Sequence, residues 1–405
     1  MITRRNILKL ATTGAASAYL SRGLKAEEQP IVIGEINSYI EHLEEFTTPY
    51  RKGLLLATEE INQKGGVRGR QLKVMSRNDY GKEEEAIRLA HHMVKTENVA
   101  MICGTFFSNV ALSLAKTALD LKVPFLASEP LSDRLTLEDG NDYTFRLRPN
   151  TYMQCKMLAT EAAKLPVNKW VCIAPDYEYG HSCVQNFKNF LQKSRPDVEW
   201  QNDLFIPLFN LDRKAVKDHL YNLNCDAVFN ATFTTDLSEL VDVAEQNNLL
   251  AGKSVVSILS GEPEYLQKLT SPICDGWIVT GYPWDQIKTR PHQTFITTYQ
   301  RRFEENPTMG SLVGYMTILA ARQALQNADD LRPASVIKAL SHLHFDSPLG
   351  TTQFRSMDNQ SSMGTFVGRL EHQDGINQMT KWFYADGSDY WPTQNEVRRR
   401  RLQGT

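Results

Sequence analysis

From Ile31 onward, short apolar runs alternate with longer amphipathic segments, and this alternation constrains the fold more than any other feature of the chain. Ile31-Val32-Ile33-Gly34 reads as a first strand. Thr48-Pro49 predicts the start of a helix, because Thr caps well and Pro suits the first helical position. Tyr50, Leu54, Ala57 and Ile61 then fall on one face of a 3.6-residue period. Gly65-Gly66 ends that helix. Strands over 71–75, 99–103 and 124–127 and helices over 83–96 and 108–119 continue the pattern. The same grammar restarts after Pro149. Helices over 152–164, 182–193, 212–223 and 237–247 alternate with strands over 170–174, 198–201, 227–231 and 255–259. Alternation at this spacing implies parallel sheets covered by helices on both faces. Two successive wound units predict two lobes of like architecture, without a residue-level repeat. After Trp277 the pattern changes. A strand over 278–283 precedes helices over 293–304, 311–327 and 334–341, and residues 350–390 are strand-like and rich in turns. The chain is therefore expected to cross between lobes more than once.

Size and composition agree with two or three soluble domains: 405 residues, 41% hydrophobic and 23% charged. A formal net charge of −2 gives no reason to expect nucleic acid or an anionic membrane as a partner. The Arg398–Arg401 run reads as part of a solvated, mobile basic tail over 393–405. The six cysteines form no CxxC pair and stand at no metal-ligand spacing. Cys103 and Cys172 lie in apolar runs, where a thiol behaves as a small hydrophobe; pairing among the others is open. At the N-terminus, Arg4 and Arg5 precede a mildly apolar stretch and then Lys25-Ala26 and polar residues. This is the layout of an export signal with a twin-arginine address, over residues 1–26. Cleavage is placed after Ala26, although Ala16-Ser17-Ala18 allows an earlier site.

An enzymatic reading lacks its motifs. There is no GxSxG elbow, P-loop or HExxH. The glycines at 65, 66 and 69 follow a helix and precede a strand, the reverse of a dinucleotide site. His91-His92 are adjacent on a helix and do not face each other, so no metal or cofactor is expected. A binding reading fits better, since ligands of open α/β sheets sit beyond the carboxyl ends of the strands. Those loops carry Phe106, Phe107 and Ser108, then Ser128 and Glu129, in the first unit. In the second they carry Asp176 to Gly180, Phe233, and Ser260 and Glu262. Ser108 reads equally as a helix cap or as part of an anion site at a helix N-terminus.

Several of these segments carry a family resemblance. Glu60-Ile61-Asn62 followed by Gly65-Gly66-Val67-Arg68-Gly69-Arg70 is similar to the first helix and turn of the branched-chain amino acid-type (type I) solute-binding proteins of ABC transporters. Asn78 to Gly81, Val123 to Leu126, Tyr143 to Arg146, Asp176 to Gly180 and Phe345 to Gly350 follow in that family's order. The resemblance implies an α/β fold of two Rossmann-like lobes with parallel sheets, joined by a three-crossover hinge. The expected lobes are residues 30–148 with 282–352, and 149–281 with 353–392. It implies a monomeric, non-enzymatic periplasmic receptor that closes on a small molecule and meets ABC permease subunits in the membrane. Ser108 stands where the family's serine contacts a ligand carboxylate, and Tyr179 where a tyrosine closes from the second lobe. Asn37-Ser38-Tyr39, Glu129-Pro130 and the region of Ser260 depart from the family's usual residues. The expected ligand set is Tyr39, Phe107, Ser108, Ser128, Glu129, Tyr179, Phe233, Ser260, Glu262 and Trp284. The expected ligand is a branched-chain or other amino acid. An aromatic carboxylate, an amide or a urea-like solute is the alternative, as is a sensor of the same fold acting on a regulator. The segments 261–265, 281–284 and 355–360 resemble a twin-arginine-exported subgroup.

Overall fold

A computed structural model describes residues 28–269 and 271–404. The export signal, with Arg4, Arg5 and the cleavage point after Ala26, lies outside the described residues. The strands fall into two sheets. The first opens with β1 (Ile31–Asn37), β2 (Leu72–Asn78), β3 (Met101–Gly104), β4 (Phe125–Ala127) and β5 (Thr144–Arg146). Helices α1 (Glu44–Gln63), α2 (Glu83–Lys95) and α3 (Ser108–Leu121) connect them. After α4 (Thr151–Ala162), the second sheet takes β6 (Lys169–Pro175), β7 (Glu199–Trp200), β8 (Leu204–Ile206), β9 (Ala227–Asn230), β10 (Ser254–Gly261) and β11 (Ile278–Gly281). Its helices are α5 (Glu178–Ser194), α6 (Arg213–Asn222), α7 (Thr234–Gln246) and the short α8 (Pro263–Leu266). Helices α9 (Arg290–Phe303), α10 (Met309–Asn327) and α11 (Pro333–Leu340) lead back to the first sheet through β12 (His344–Ser347), β13 (Gly350–Arg355) and β14 (Gln360–Ser361). Strands β15 (Thr365–Gln373) and β16 (Ile376–Ala385) return to the second, and α12 (Gly387–Tyr390) and α13 (Gln394–Arg401) follow.

The sheet orders are β12-β13-β14-β5-β4-β3-β1-β2 and β16-β15-β11-β10-β9-β6-β7, with β8 also on β6. The wound parts are parallel, and the late strands β12, β13, β15 and β16 add antiparallel edges. The chain thus passes between two α/β lobes three times, the architecture that the alternation and the resemblance imply. Strand β13 runs on to Arg355 and β14 lies at Gln360–Ser361, both in the first sheet, so the first lobe's second segment extends past its expected end at residue 352. Parallel strands covered on both faces need continuous apolar runs. Met101-Ile102-Cys103 and Val171-Cys172-Ile173 supply them and are buried throughout. All six cysteines are buried and unpaired. Among the described residues, no helix is long and apolar enough to cross a membrane.

Three local expectations are corrected. Helix α1 starts at Glu44, not at Thr48, and Pro49 lies inside it. Glu44 and Glu45 favour the helix N-terminus electrostatically. The bond that Pro49 cannot donate is outweighed by the burial of Phe46 and Tyr50 on either side. Helix α5 starts at Glu178, which places Tyr179 in its first turn rather than in a loop. Residues 393–404 are not a free tail. Thr393 and Glu396 form a reciprocal capping box at the start of α13, and Val397 is buried. Arg400 donates to Asp133 at 2.6 Å and to Glu138 at 2.8 Å. Two acidic groups in one recess supply a counter-charge that a solvated arginine run would lack.

Candidate functional site

In the first sheet, β1 has β2 on one side and β3 on the other. In the second, β6 is flanked by β7 and β9 in the same way. At such reversals of strand order, successive loops leave in opposite directions and open a crevice at the carboxyl ends. The two crevices face each other across a narrow cavity between the lobes. Phe106, Ser108, Glu129, Leu131 and Arg148 line it from loops after β3, β4 and β5. Tyr177, Tyr179, Phe233, Leu259 and Tyr265 line it from the second lobe.

On the first side, one buried carboxylate holds three loops together. Asp79 accepts from the Ser38 hydroxyl at 2.6 Å, the Thr105 hydroxyl at 2.7 Å and the Gly81 amide at 2.7 Å. Gly104, at a φ of +115°, passes so close to β1 that a Cβ there would lie 1.9 Å from the Ile36 carbonyl oxygen. That approach fixes where Phe106 and Ser108 emerge. Ser108 is the first residue of α3 and Phe107 precedes it as N-cap, so the serine hydroxyl does not cap the helix. It accepts instead from the Ser132 amide at 3.1 Å, tying α3 to the loop between β4 and β5.

Glu129 follows β4. Its Oε1 accepts from Asn37 Nδ2 at 3.2 Å, and its Oε2 is buried with no partner. Burial pushes this carboxyl well above the usual carboxylate range; Arg148 and Asn37 pull it down, and Glu35 and Glu264 push it up. Arg148 follows β5. Its guanidinium pairs with Glu262 of the second lobe, and both side chains are buried. It also lies over the Phe46 ring at 5.5 Å, while its Nε has no partner. On the second side, Phe233 is the hub of an aromatic cluster. Phe106, Tyr177, Tyr179 and Tyr265 surround it with ring centroids 5.7 to 6.5 Å away. The Tyr179 hydroxyl is buried without a partner. Phe106 and Phe233 come from opposite lobes, so the lobes are closed on each other. Ser132 to Glu178 at 2.5 Å and Ser182 to Asp133 at 2.7 Å reinforce that closure.

Of the residues anticipated from sequence, Ser108, Glu129, Tyr179 and Phe233 converge on the cavity. Phe107 packs behind it, edge-on to Phe106 and Tyr177. The others lie elsewhere. Tyr39 donates to Glu35 at 2.9 Å. Ser128 accepts from Tyr50 and Thr317, each at 3.0 Å. Ser260 bonds Ser257 at 2.5 Å. Glu262 is occupied by Arg148. Trp284 lines a separate groove with Pro263, Leu266 and Gln286. Sequence reasoning missed Leu131, Arg148, Leu259 and Tyr265 as lining residues; Tyr177 lay in the anticipated 176–180 loop but outside the expected ligand set. Arg148 had a signal: it stands just past β5, in the position that Glu129 holds after β4. Among the described residues, no group of three or more His, Cys, Asp or Glu side chains is placed to hold a metal ion.

Residues 30–375 match the family described as "Periplasmic binding protein". Leu/Ile/Val-binding protein homolog 7 of Brucella suis biovar 1 is 25% identical over 344 residues, 80% of this chain and 84% of its own length. Homolog 8 of Brucella abortus is 24% identical over 347 residues, covering 80% and 83%. Among solved structures, a solute binding protein of an ABC transporter from Rhodopseudomonas palustris, in complex with 3,4-dihydroxybenzoic acid, superposes with a TM-score of 0.78 at 19% identity, covering 88% of this chain and 98% of its own. The branched-chain amino acid transporter substrate binding protein of Streptococcus pneumoniae, in complex with isoleucine, gives 0.76 at 18%, covering 88% and 99%. At these identities the two structures share the fold with this chain.

Proposed function

Because this chain belongs to the periplasmic binding protein family, we propose that it is the solute receptor of an ABC importer, closing on one small organic molecule and presenting it to permease subunits. The observation that carries this reading is the cavity at two facing crevices, with buried polar atoms left unpaired on both lobes. Glu129 Oε2 and Arg148 Nε come from the first lobe and the Tyr179 hydroxyl from the second. Unpaired buried polar groups are costly, so a ligand that satisfies all three favours the closed form. The lobes are residues 30–148 with 282–361, and 149–281 with 362–392, moving about the three crossovers as rigid bodies. The receptor works as a monomer in the periplasm. It arrives there through the twin-arginine address at Arg4 and Arg5 and loses residues 1–26. It performs no chemistry on its ligand.

The ligand is an amino acid or a similar small carboxylate. Its carboxylate faces the N-terminus of α3 at Ser108, where free amide groups and the helix dipole favour an anion. The Brucella relatives named for Leu/Ile/Val and the isoleucine-bound neighbour support this reading. An aromatic carboxylate is the second reading, supported by the rings around Phe233 and by the neighbour holding 3,4-dihydroxybenzoic acid. A thermal-shift screen of amino acids, short amides, urea and aromatic carboxylates tests both. A ligand at a hundred times its dissociation constant adds about 2.7 kcal/mol of stability. The hit should be recovered unchanged after incubation, and turnover by the purified protein would contradict the receptor reading.

A further inference from the structure

We propose that residues 391–404 form a strap across the hinge, anchored on the first lobe at both ends and latched to the second lobe at its middle by the Tyr152–Glu396 hydrogen bond, so that the ligand-free lobes are held toward the closed form. This rests on the receptor reading and adds a restraint that lies outside the cavity.

The strap begins where the second sheet ends. After β16, α12 lies against α4 of the second lobe. A Cβ on Gly387 would lie 2.8 Å from the end of the Met153 side chain, and the Lys156 ammonium sits over the Tyr390 ring at 5.7 Å. The very next residue changes lobe. Trp391 Nε1 donates to the carbonyl of Ser361 on β14 at 3.1 Å, and the guanidinium of Arg355 on β13 lies over the Trp391 ring at 4.7 Å. Arg355 also donates to the Pro392 carbonyl at 2.8 Å. The chain thus passes from the second lobe to the first once more after its three crossovers. Consecutive Cα atoms are only about 3.8 Å apart, so Tyr390 and Trp391 leave no slack between the lobes.

Helix α13 then touches both lobes within one turn. Glu396 accepts from the hydroxyl of Tyr152 on α4 at 3.0 Å. Arg400, four residues on and on the same face, pairs with Asp133 and Glu138 of the first lobe. Arg401 donates to the Thr136 carbonyl at 3.4 Å, and a Cβ on Gly404 would lie 2.1 Å from the Glu138 carbonyl oxygen. One turn of helix does not stretch, so relative movement of the lobes must break the bonds on one side of it. The two sides differ in strength. Arg400 meets two carboxylates, and that of Asp133 is buried, so separating this group is costly. The latch to the second lobe is a single hydrogen bond at the partly exposed Glu396. Opening therefore breaks the Tyr152 bond, and α13 travels with the first lobe. A bond made only in the closed form biases the equilibrium toward it. Asp133 extends the same coupling, since it also accepts from Ser182 and Asn186 on α5 of the second lobe.

Spin-label distances in the mature, ligand-free protein test this. The native thiols are all buried, so nitroxides attach to cysteines placed at exposed sites, Lys116→Cys on α3 and Lys217→Cys on α6. Double electron–electron resonance in the otherwise wild-type chain should show a short distance, that of the closed form, beside a longer one. Tyr152→Phe keeps the ring that packs edge-on against Phe190 and removes only the hydroxyl. It should shift the balance roughly three- to tenfold toward the longer distance. Glu396→Ala should do the same, and the two changes together should do no more than either alone, because they remove one bond. No solute is added, so failure of the solute screen would count against the receptor reading and leave this result standing. Distance distributions that are the same with and without Tyr152→Phe and Glu396→Ala would overturn the strap, even where the variants melt lower, since that is local packing alone. A ligand-free chain that lacks the short distance altogether would overturn it as well.

Discussion

Asp133 shows how little of a residue's environment can be read from its sequence neighbours. It is buried, accepts from Ser182 at 2.7 Å and Asn186 at 2.9 Å, and pairs with Arg400 at 2.6 Å. Burial opposes its ionisation, but Arg400 and the hydrogen bonds outweigh that and hold its carboxyl below the ordinary range. Replacing Arg400 by alanine strands a buried carboxylate, which costs about 3–5 kcal/mol. Urea denaturation of Arg400→Ala should show that loss; a change under about 1 kcal/mol would mean the pair is effectively solvated. The sequence displayed four arginines in a row and no way to tell which one faces an acid, so the run was read as solvated. Glu35 is the opposite case. It is fully buried, and burial pushes its carboxyl up to about 8 despite the hydrogen bond from Tyr39. A carboxyl raised in the folded state binds more protons there than when unfolded. Stability should therefore fall as pH rises from the unfolded value near 4.5 to the folded value of about 8. Glu35→Gln should flatten that fall. A melting-temperature profile with the same slope in variant and wild type would show that Glu35 does not titrate in this window.

At the scale of elements, the alternation of strands and helices was legible because burial on both faces forces the apolar runs that announce it. Helix starts were less so. The N-caps of α1, α3 and α5 are Leu43, Phe107 and Tyr177, none of which makes a side-chain capping bond. A reading that looks for Ser, Thr, Asp or Asn at a helix start has no signal there and settles on Thr48 or Ser108. Tertiary packing determines these boundaries instead. The α1–α10 contact shows how. Glycines at 53 and 314 let the two backbones approach so closely that a Cβ on Gly314 would lie 2.1 Å from the Tyr50 carbonyl oxygen. Tyr50 in turn donates to Ser128, the residue before Glu129, so this crossing supports the cavity wall. Gly314→Ala sets two effects against each other. Helix propensity alone favours alanine by about 1 kcal/mol, whereas forcing the helices apart costs typically 1–3 kcal/mol. Because the clash is with backbone, net destabilisation is expected on denaturation, and a gain in stability would show that the crossing is loose.

For the whole molecule, topology told more than composition. Segments at the carboxyl ends of β3, β4, β6, β9 and β10 were anticipated as the ligand-facing ones; the first four bring residues to the cavity, whereas Ser260 and Glu262 at the end of β10 do not line it. The inward side chains were harder to assign. Ser128 and Glu129 are neighbours, yet one bonds Tyr50 and Thr317 within the first lobe and the other lines the cavity. Arg148 and Tyr265 gain their roles only when the lobes meet, a distance in sequence that no local pattern spans. The central claim is that these lobes open and close on a solute that leaves unchanged. Small-angle X-ray scattering of the mature protein, first freed of ligand by dialysis and then saturated with the best hit of the screen, tests it most directly. The account predicts a smaller radius of gyration with ligand, its return on dialysis, and recovery of the solute intact. A radius indifferent to saturating solute, or a solute that comes back altered, would contradict it.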